Sequence, residues 1–258
     1  MLRTLRRHKD LLYMLSRRDI TVKYKQSVMG LLWAVLMPLL ITCAGVMVKL
    51  ALASVSGRPA RIEDALPVAV KSIPWAFFVA SLRFSTQSLS GNQNLVTKIA
   101  FPRAVFPLSA VASQLFDFCV ASVVLVIAFA FAPVHLTVEI AWVPVLLGLL
   151  LAQVIGLALL LSAANLFFRD VKYLVEVFLT FAIFFTPVFY EVRTFGARAQ
   201  LLLLNPIAPL LEGLGDAVVG GRAPSLGWTL YSAAWAALLL LVAPVMFQRL
   251  EPKFAESA

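Results

Sequence analysis

Five ionisable side chains interrupt the long apolar stretches of this 258-residue chain: Lys49, Lys71, Arg83, Asp117 and Glu176. A membrane-embedded acid–base catalyst or proton relay needs such groups gathered near one depth. Here they are scattered over separate stretches, which points away from catalysis. The two histidines, His8 and His135, are far apart in sequence and fall on opposite sides of the membrane in the topology derived below, so they cannot share a metal or a reaction. The pattern G-x-x-x-x-G-K-[ST] is absent and no lysine follows a glycine, so there is no phosphate-cradling loop, and any ATP must be hydrolysed by another chain. H-E-x-x-H and G-x-S-x-G are absent too. Cys43 and Cys119 each sit inside an apolar run and read as small buried hydrophobes rather than metal ligands or a disulfide. The expectation is a chain with no catalytic residue, no metal site and no bound cofactor.

Charges inside apolar helices cost on the order of 2.5–3.5 kcal/mol each, so something must compensate them. From the rise of a helix, Arg83 lies roughly 10 Å and Asp117 roughly 15–20 Å from the nearer helix end, so a direct pair between them would need snorkelling side chains. Ser109, Ser113 and Asp117 follow at i+4 spacing and draw a polar stripe down one helix. It faces either a hydrated path or a packed neighbour that accepts its hydrogen bonds. Phe178, Phe181, Phe185 and Phe189 form an aromatic stripe that either meets lipid and protein or offers ring faces to the C–H surfaces of a passing sugar chain.

The elements that carry these residues follow from composition. With 61% hydrophobic and only 14% charged residues the chain has far more apolar surface than a water-soluble domain can bury, so lipid is part of its solvent. Six stretches approach spanning length, near 28–53, 68–90, 104–131, 141–164, 173–190 and 228–247. The second is the least apolar. Fourteen of the 22 Lys and Arg residues fall on the N-terminal side of the membrane and five on the other, which puts both termini in the cytoplasm. The net charge of +9 is thus spent on topology, at the edges of apolar runs, and calls for no nucleic acid. Without the short charged and apolar regions of a cleaved signal peptide, the N-terminus is expected to be retained.

Residues 1–27 are expected to form a separate N-terminal unit ahead of a six-helix transmembrane body, 28–258. Within residues 3–25 Leu5, Leu12 and Leu15 share a helical face while the arginines lie elsewhere, which predicts an amphipathic helix in the cytoplasmic interface rather than a solvated basic tail. The connection 191–227 is too apolar for a plain loop. Asn205-Pro206 predicts a helix start and Gly220-Gly221 its end, giving short re-entrant helices before the last span. The fold class is therefore all-α integral membrane.

Several segments in order resemble the transmembrane subunit of bacterial polysaccharide ABC exporters, the type-2 ABC permeases that move O-antigen, teichoic acid and capsule-like glycans. Arg18-Asp19-Ile20-Thr21-Val22-Lys23-Tyr24-Lys25-Gln26-Ser27-Val28-Met29-Gly30-Leu31-Leu32-Trp33, followed by Pro38, is similar to the family's approach to span one. Asn94-Leu95-Val96-Thr97-Lys98-Ile99-Ala100-Phe101-Pro102-Arg103 is similar to its loop between spans two and three. Phe168-Arg169-Asp170-Val171-Lys172, Thr186-Pro187-Val188 and Leu204-Asn205-Pro206 complete the set.

The resemblance implies a homodimer in the bacterial inner membrane, bound to two copies of a cytoplasmic ATPase that carries ATP-Mg, with a channel for lipid-linked polysaccharide between the permease copies. It implies that 92–103 docks on the ATPase, with Asn94, Lys98, Phe101, Pro102 and Arg103 as contacts. Without the resemblance that loop reads only as a basic anchor and helix break. Arg17, Arg18, Asp19, Tyr24 and Lys25 would belong to a gate helix at the interface, and Asn205 and Pro206 to an outer gate. Trp33, Arg83, Asp117, Phe181 and Phe185 are the candidate channel-lining residues. A drug or lipid exporter of the same architecture, an ATP-independent flippase and a membrane-embedded enzyme are the alternatives.

Overall fold

Runs of apolar residues longer than a bilayer is thick satisfy their backbone polar groups internally as helices, and the computed structural model is helical throughout, with no strand among the described residues. It describes residues 9–25, 29–56, 65–93, 95, 102–130 and 137–254. We label the helices α1 (Lys9–Lys25), α2 (Leu32–Ser56), α3 (Leu66–Ser88), α4 (Val105–Phe129), α5 (Trp142–Phe167), α6 (Val171–Ala182), α7 (Ala199–Leu203), α8 (Ala208–Gly215) and α9 (Leu226–Leu250). Five of them, α2, α3, α4, α5 and α9, are long and apolar enough to cross a membrane.

The remaining expected crossing, 173–190, falls short of that length. Its helix α6 has 12 residues and tightens into a 3-10 turn at Ile183–Phe185. Thr186 then turns extended at φ −120°, ψ 133°, the conformation that the following Pro187 imposes on the residue before it. The chain still passes from one end of the bundle to the other over this segment. Lys172 meets Asn165 at the foot of α5, and Tyr190 meets Lys71 near the opposite end of α3.

The least apolar span, α3, is the centre of the molecule. Trp75, Phe77, Phe78 and Leu82 are buried in the main core with Val111 of α4, Leu146, Leu150 and Val154 of α5 and Leu210, Leu211 and Leu214 of α8. Protein rather than lipid surrounds it, so it tolerates Ser72, Ser85 and Thr86, whose hydroxyls donate to carbonyls of their own helix. By contrast α2 exposes Leu39, Leu40, Met47 and Leu50, as a lipid-facing helix should.

A second cluster sits at one end of the bundle and joins Leu15 of α1, Leu89, Val105, Phe106, Leu159, Leu166, Phe247 and Phe254. The first described helix and the last described residues therefore lie at the same end, called the terminal end below. At the other, distal end, the connection to α9 folds back as predicted. Asn205 Oδ1 accepts from the Ile207 N–H (3.1 Å), α8 follows, and a π turn at Asp216–Gly220 stops at Gly221, whose φ of +58° suits glycine.

Candidate functional site

At the terminal end, α1 packs along α4. Leu12 and Leu15, from the apolar face read from the sequence, turn together with Leu11 onto the terminal cluster and so onto protein, while Tyr13, Met14 and Val22 point outward. Leu5 lies outside the described residues. The polar stripe of α4 is matched by α1 in order. Ser109 Oγ donates to Asp19 (3.1 Å), Lys23 Nζ donates to Gln114 (3.3 Å), and both Lys23 and the Tyr24 hydroxyl donate to Asp117. Ser109 and Asp117 of the stripe thus bond to the N-terminal helix, and Gln114 beside them does the same.

Asp117 is 12 residues past Val105, about 18 Å along α4, so Lys23 and Tyr24 reach well into the bundle. Burial, and then the hydrogen bond and charge of Asp117, push the Tyr24 phenol well above its ordinary value. Arg18 joins Asp19 (2.9 Å) and Asn92 (3.3 Å), linking α1 to the turn after α3, while Arg17 and Lys25 are exposed.

Of the residues expected to touch a partner, Asn94, Lys98 and Phe101 lie outside the described residues. Pro102 and Arg103 open the turn into α4, and Arg103 is engaged within the chain. Its backbone N–H donates to Glu251 Oε1 (2.7 Å), its guanidinium donates to the Glu251 carbonyl, and it lies over the Phe254 ring (5.9 Å). That clasp joins the turn before α4 to the end of α9.

The five candidate channel residues divide into two groups. Trp33, Arg83 and Asp117 line one groove of about 490 Å³ between α1, α2, α3 and α4, with Lys23 and Trp75. Phe181 and Phe185 line another of about 490 Å³ on the far side of Trp75, with Phe178, Asn205 and Ile207. In place of Asp117, the partner of Arg83 is Glu176 of α6 (2.6 Å). Phe178, Phe181 and Phe185 are open over more than half their surface, at 70%, 57% and 67%, while Phe189 turns inward against Gly45 and Val68.

At the distal end, Asn205 Nδ2 donates to Thr186 Oγ1 (2.9 Å), and the Pro206 carbonyl accepts from Ser232 Oγ (2.8 Å). Gln153, buried in α5, donates to the Ser232 carbonyl (3.0 Å). The first two bonds pin the re-entrant segment to the turn after α6 and to α9, and the third holds α9 against α5.

A model of ABC-2 type transporters matches residues 10–218. The chain belongs to the ABC-2 type transporter family. It is similar along its whole length to the O-antigen export system permease protein RfbA of Myxococcus xanthus, at 30% identity over 261 residues, covering 100% of this chain and 98% of that protein. Two proteins of the same name from Klebsiella pneumoniae are 28% and 27% identical over 254 residues, each covering 96% of this chain and 94% of the relative.

This ABC-2 family member is a multi-pass membrane protein, and several residues that order it were given no role or partner by sequence reasoning. The most enclosed charged one is Lys71 of α3, 2% exposed, which donates to Glu212 of α8 (3.0 Å) and to the Tyr190 carbonyl (2.8 Å). Glu212 Oε1 in turn accepts the Val192 N–H (3.0 Å). The signal available was Lys71 itself, a cation inside an apolar run that needed a counter-charge. Glu212 lies 141 positions away, and nothing in the spacing joins the two.

Proposed function

We propose that this chain is the channel-forming permease subunit of an ABC exporter that carries a lipid-linked polysaccharide, O-antigen-like or a related glycan, across the bacterial inner membrane. The single observation that carries the reading is end-to-end similarity to permeases named for O-antigen export, within a family match over 10–218. Two copies form the channel and two cytoplasmic ATPase subunits supply the energy, with ATP-Mg bound by those partners. The meeting of α1 with the C-terminal segment at one end of the bundle supports placing both on one side of the membrane, and the Lys and Arg distribution makes that side the cytoplasm.

In this reading, α1 with Arg17, Arg18, Asp19, Tyr24 and Lys25 is the gate helix, and 92–103 with Asn94, Lys98, Phe101, Pro102 and Arg103 receives the ATPase stroke. Asn205 and Pro206 hold the outer gate. Trp33, Arg83, Asp117, Phe181 and Phe185 face the path, and the open phenylalanines suit the weak, sliding contact with sugar faces that a passing polymer needs. The test is co-purification with a candidate cytoplasmic ABC ATPase, followed by ATP-dependent movement of lipid-linked glycan into inverted vesicles. Failure of the pair to associate, or ATP turnover that moves a drug or a simple lipid but no glycan, would overturn the assignment.

A further inference from the structure

Three elements at the terminal end meet at one buried side chain. Asn165 is 2% exposed and lies in the last turn of α5. Its Nδ2 donates to Ser90 Oγ (3.0 Å), and that hydroxyl donates to the Gln87 carbonyl at the end of α3 (3.2 Å). Its Oδ1 accepts the Lys172 N–H (3.0 Å) in the first turn of α6. The first N–H groups of a helix lack intrahelical partners, and the residue before the helix ordinarily supplies one. Asp170, which holds that position, makes no such bond, so α6 is capped from across the turn by α5.

A second tie joins α6 directly to α3: Glu176, one turn on from Lys172, pairs with Arg83. Both of its side chains are open over about four-tenths of their surface, at 41% and 46%, so water can replace either partner, whereas the amide of Asn165 is enclosed. The amide therefore sets the position of α6 and the ion pair follows it.

We infer that Asn165 is the positioning residue that makes α6, with its open phenylalanine face, move together with the end of α3 and the loop that leaves it. The inference rests on the transport reading above, since it names the route by which a push on 92–103 reaches the residues that face the path. Glycan is moved when α6 shifts. A severed tie leaves the ATPase turning while α6 lags.

The experiment uses the reconstituted permease–ATPase complex with lipid-linked glycan, and compares wild type, Asn165→Ala, Ser90→Ala and Asn165→Asp. Glycan exported per ATP hydrolysed is expected to fall about 5-fold or more in Asn165→Ala, the lower range of an allosteric coupling. A smaller fall is expected in Ser90→Ala, which cuts only the α3 arm and removes one oxygen. Asn165→Asp should recover the ratio, because Ser90 Oγ can rotate to donate to the carboxylate. That recovery should vanish in the Ser90→Ala background.

Hydrogen exchange over 171–177 is read in the same preparations and does not require transport. Exchange is expected to rise in Asn165→Ala and also in Ser90→Ala, a change on α3 that purely local capping of α6 would not transmit. An unchanged export-to-ATP ratio in Asn165→Ala overturns the inference, as does unchanged exchange in Ser90→Ala. A wild-type complex that moves no glycan overturns the transport reading instead, and exchange then decides whether the tie exists.

Discussion

Replacing Lys71 by methionine isolates the contribution of one buried ammonium. Methionine keeps most of the stem that packs beside Gly215, so the change is confined to the charge and its two hydrogen bonds, to Glu212 (3.0 Å) and to the Tyr190 carbonyl (2.8 Å). Glu212 is then left with the Val192 N–H as its remaining bond, in a site where the lysine was 2% and the glutamate 14% exposed. Removing one member of a buried ion pair costs about 3–5 kcal/mol, because the survivor keeps its desolvation penalty. For a chain of this size each kcal/mol moves a thermal midpoint by about 2–4 °C, so the variant should unfold about 6–20 °C earlier.

The assay is the midpoint of intrinsic tryptophan fluorescence in detergent at a fixed scan rate, since a membrane protein's midpoint is partly kinetic. The paired variant Lys71→Met/Glu212→Gln removes both charges and keeps an oxygen for the Val192 N–H. It should recover at least half the loss, as neutral replacement of a buried pair costs little. A fall under about 2 °C for Lys71→Met would show that water screens the site and that the pair does not hold α8 and the 190–192 turn against α3. A double variant no better than the single one would refute the electrostatic account and leave packing as the cause.

Further predictions concern the terminal end. Tyr24 has its phenol raised by burial and by Asp117, so the stability it adds is fully present below the ordinary phenol value of about 10 and is lost as pH rises through the folded value. Trypsin cleavage at Arg17, Arg18 and Lys25 should therefore accelerate above about pH 10, and Tyr24→Phe should lower stability by about 1.5–3 kcal/mol at neutral pH while flattening that alkaline step. For Asp117, the amide oxygen of Asp117→Asn can still accept from Tyr24, although its NH2 cannot accept from Lys23, so glycan export should survive it better than Asp117→Ala. Equal loss in both, or in Glu176→Gln, would revive a proton-transfer role. Glu251→Ala leaves the Arg103 N–H without its acceptor and should cost about 1–3 kcal/mol by thermal midpoint. Its export should fall in step with Arg103→Glu if the arginine's first task is to hold the chain's end, whereas a Lys98→Glu defect should leave the midpoint unmoved.

What was legible in the sequence is what depends on local chain chemistry. The long apolar runs, the helix start at Asn205 and its stop before Gly221, and the apolar face of α1 all follow from neighbours within a few residues, and each is present. The helix of the fifth expected crossing, 173–190, was overestimated in length because hydropathy does not register Thr186-Pro187, where the residue before proline leaves the helical region. The second span read as the weakest for the opposite reason. A helix enclosed by protein can carry hydroxyls that bond to its own backbone, so low hydropathy marked the centre of the bundle rather than a doubtful element.

The charge partners were illegible because each joins positions remote in sequence, and a charge predicts that it has a partner without predicting which. Depth argued against a direct pair of Arg83 with Asp117, and the two do not pair, but depth named no other partner for either. Each instead meets a residue of an element whose packing hydropathy does not report: Glu176 on the short α6, Lys23 and Tyr24 on the amphipathic α1. The same pattern recurs at Lys71 with Glu212 and at Arg103 with Glu251. In three of the four cases a spanning helix is bonded to a segment too short to span, and in the fourth the turn that opens α4 is bonded to the end of α9. Long helices are held by area, which lipid can supply as readily as protein. The short segments have little area to bury and are fixed by directional bonds, and directional bonds can break and re-form when an element moves. The residues most worth perturbing in this fold are therefore the ion pairs and amides at the ends of the short pieces, not the apolar contacts between the long ones.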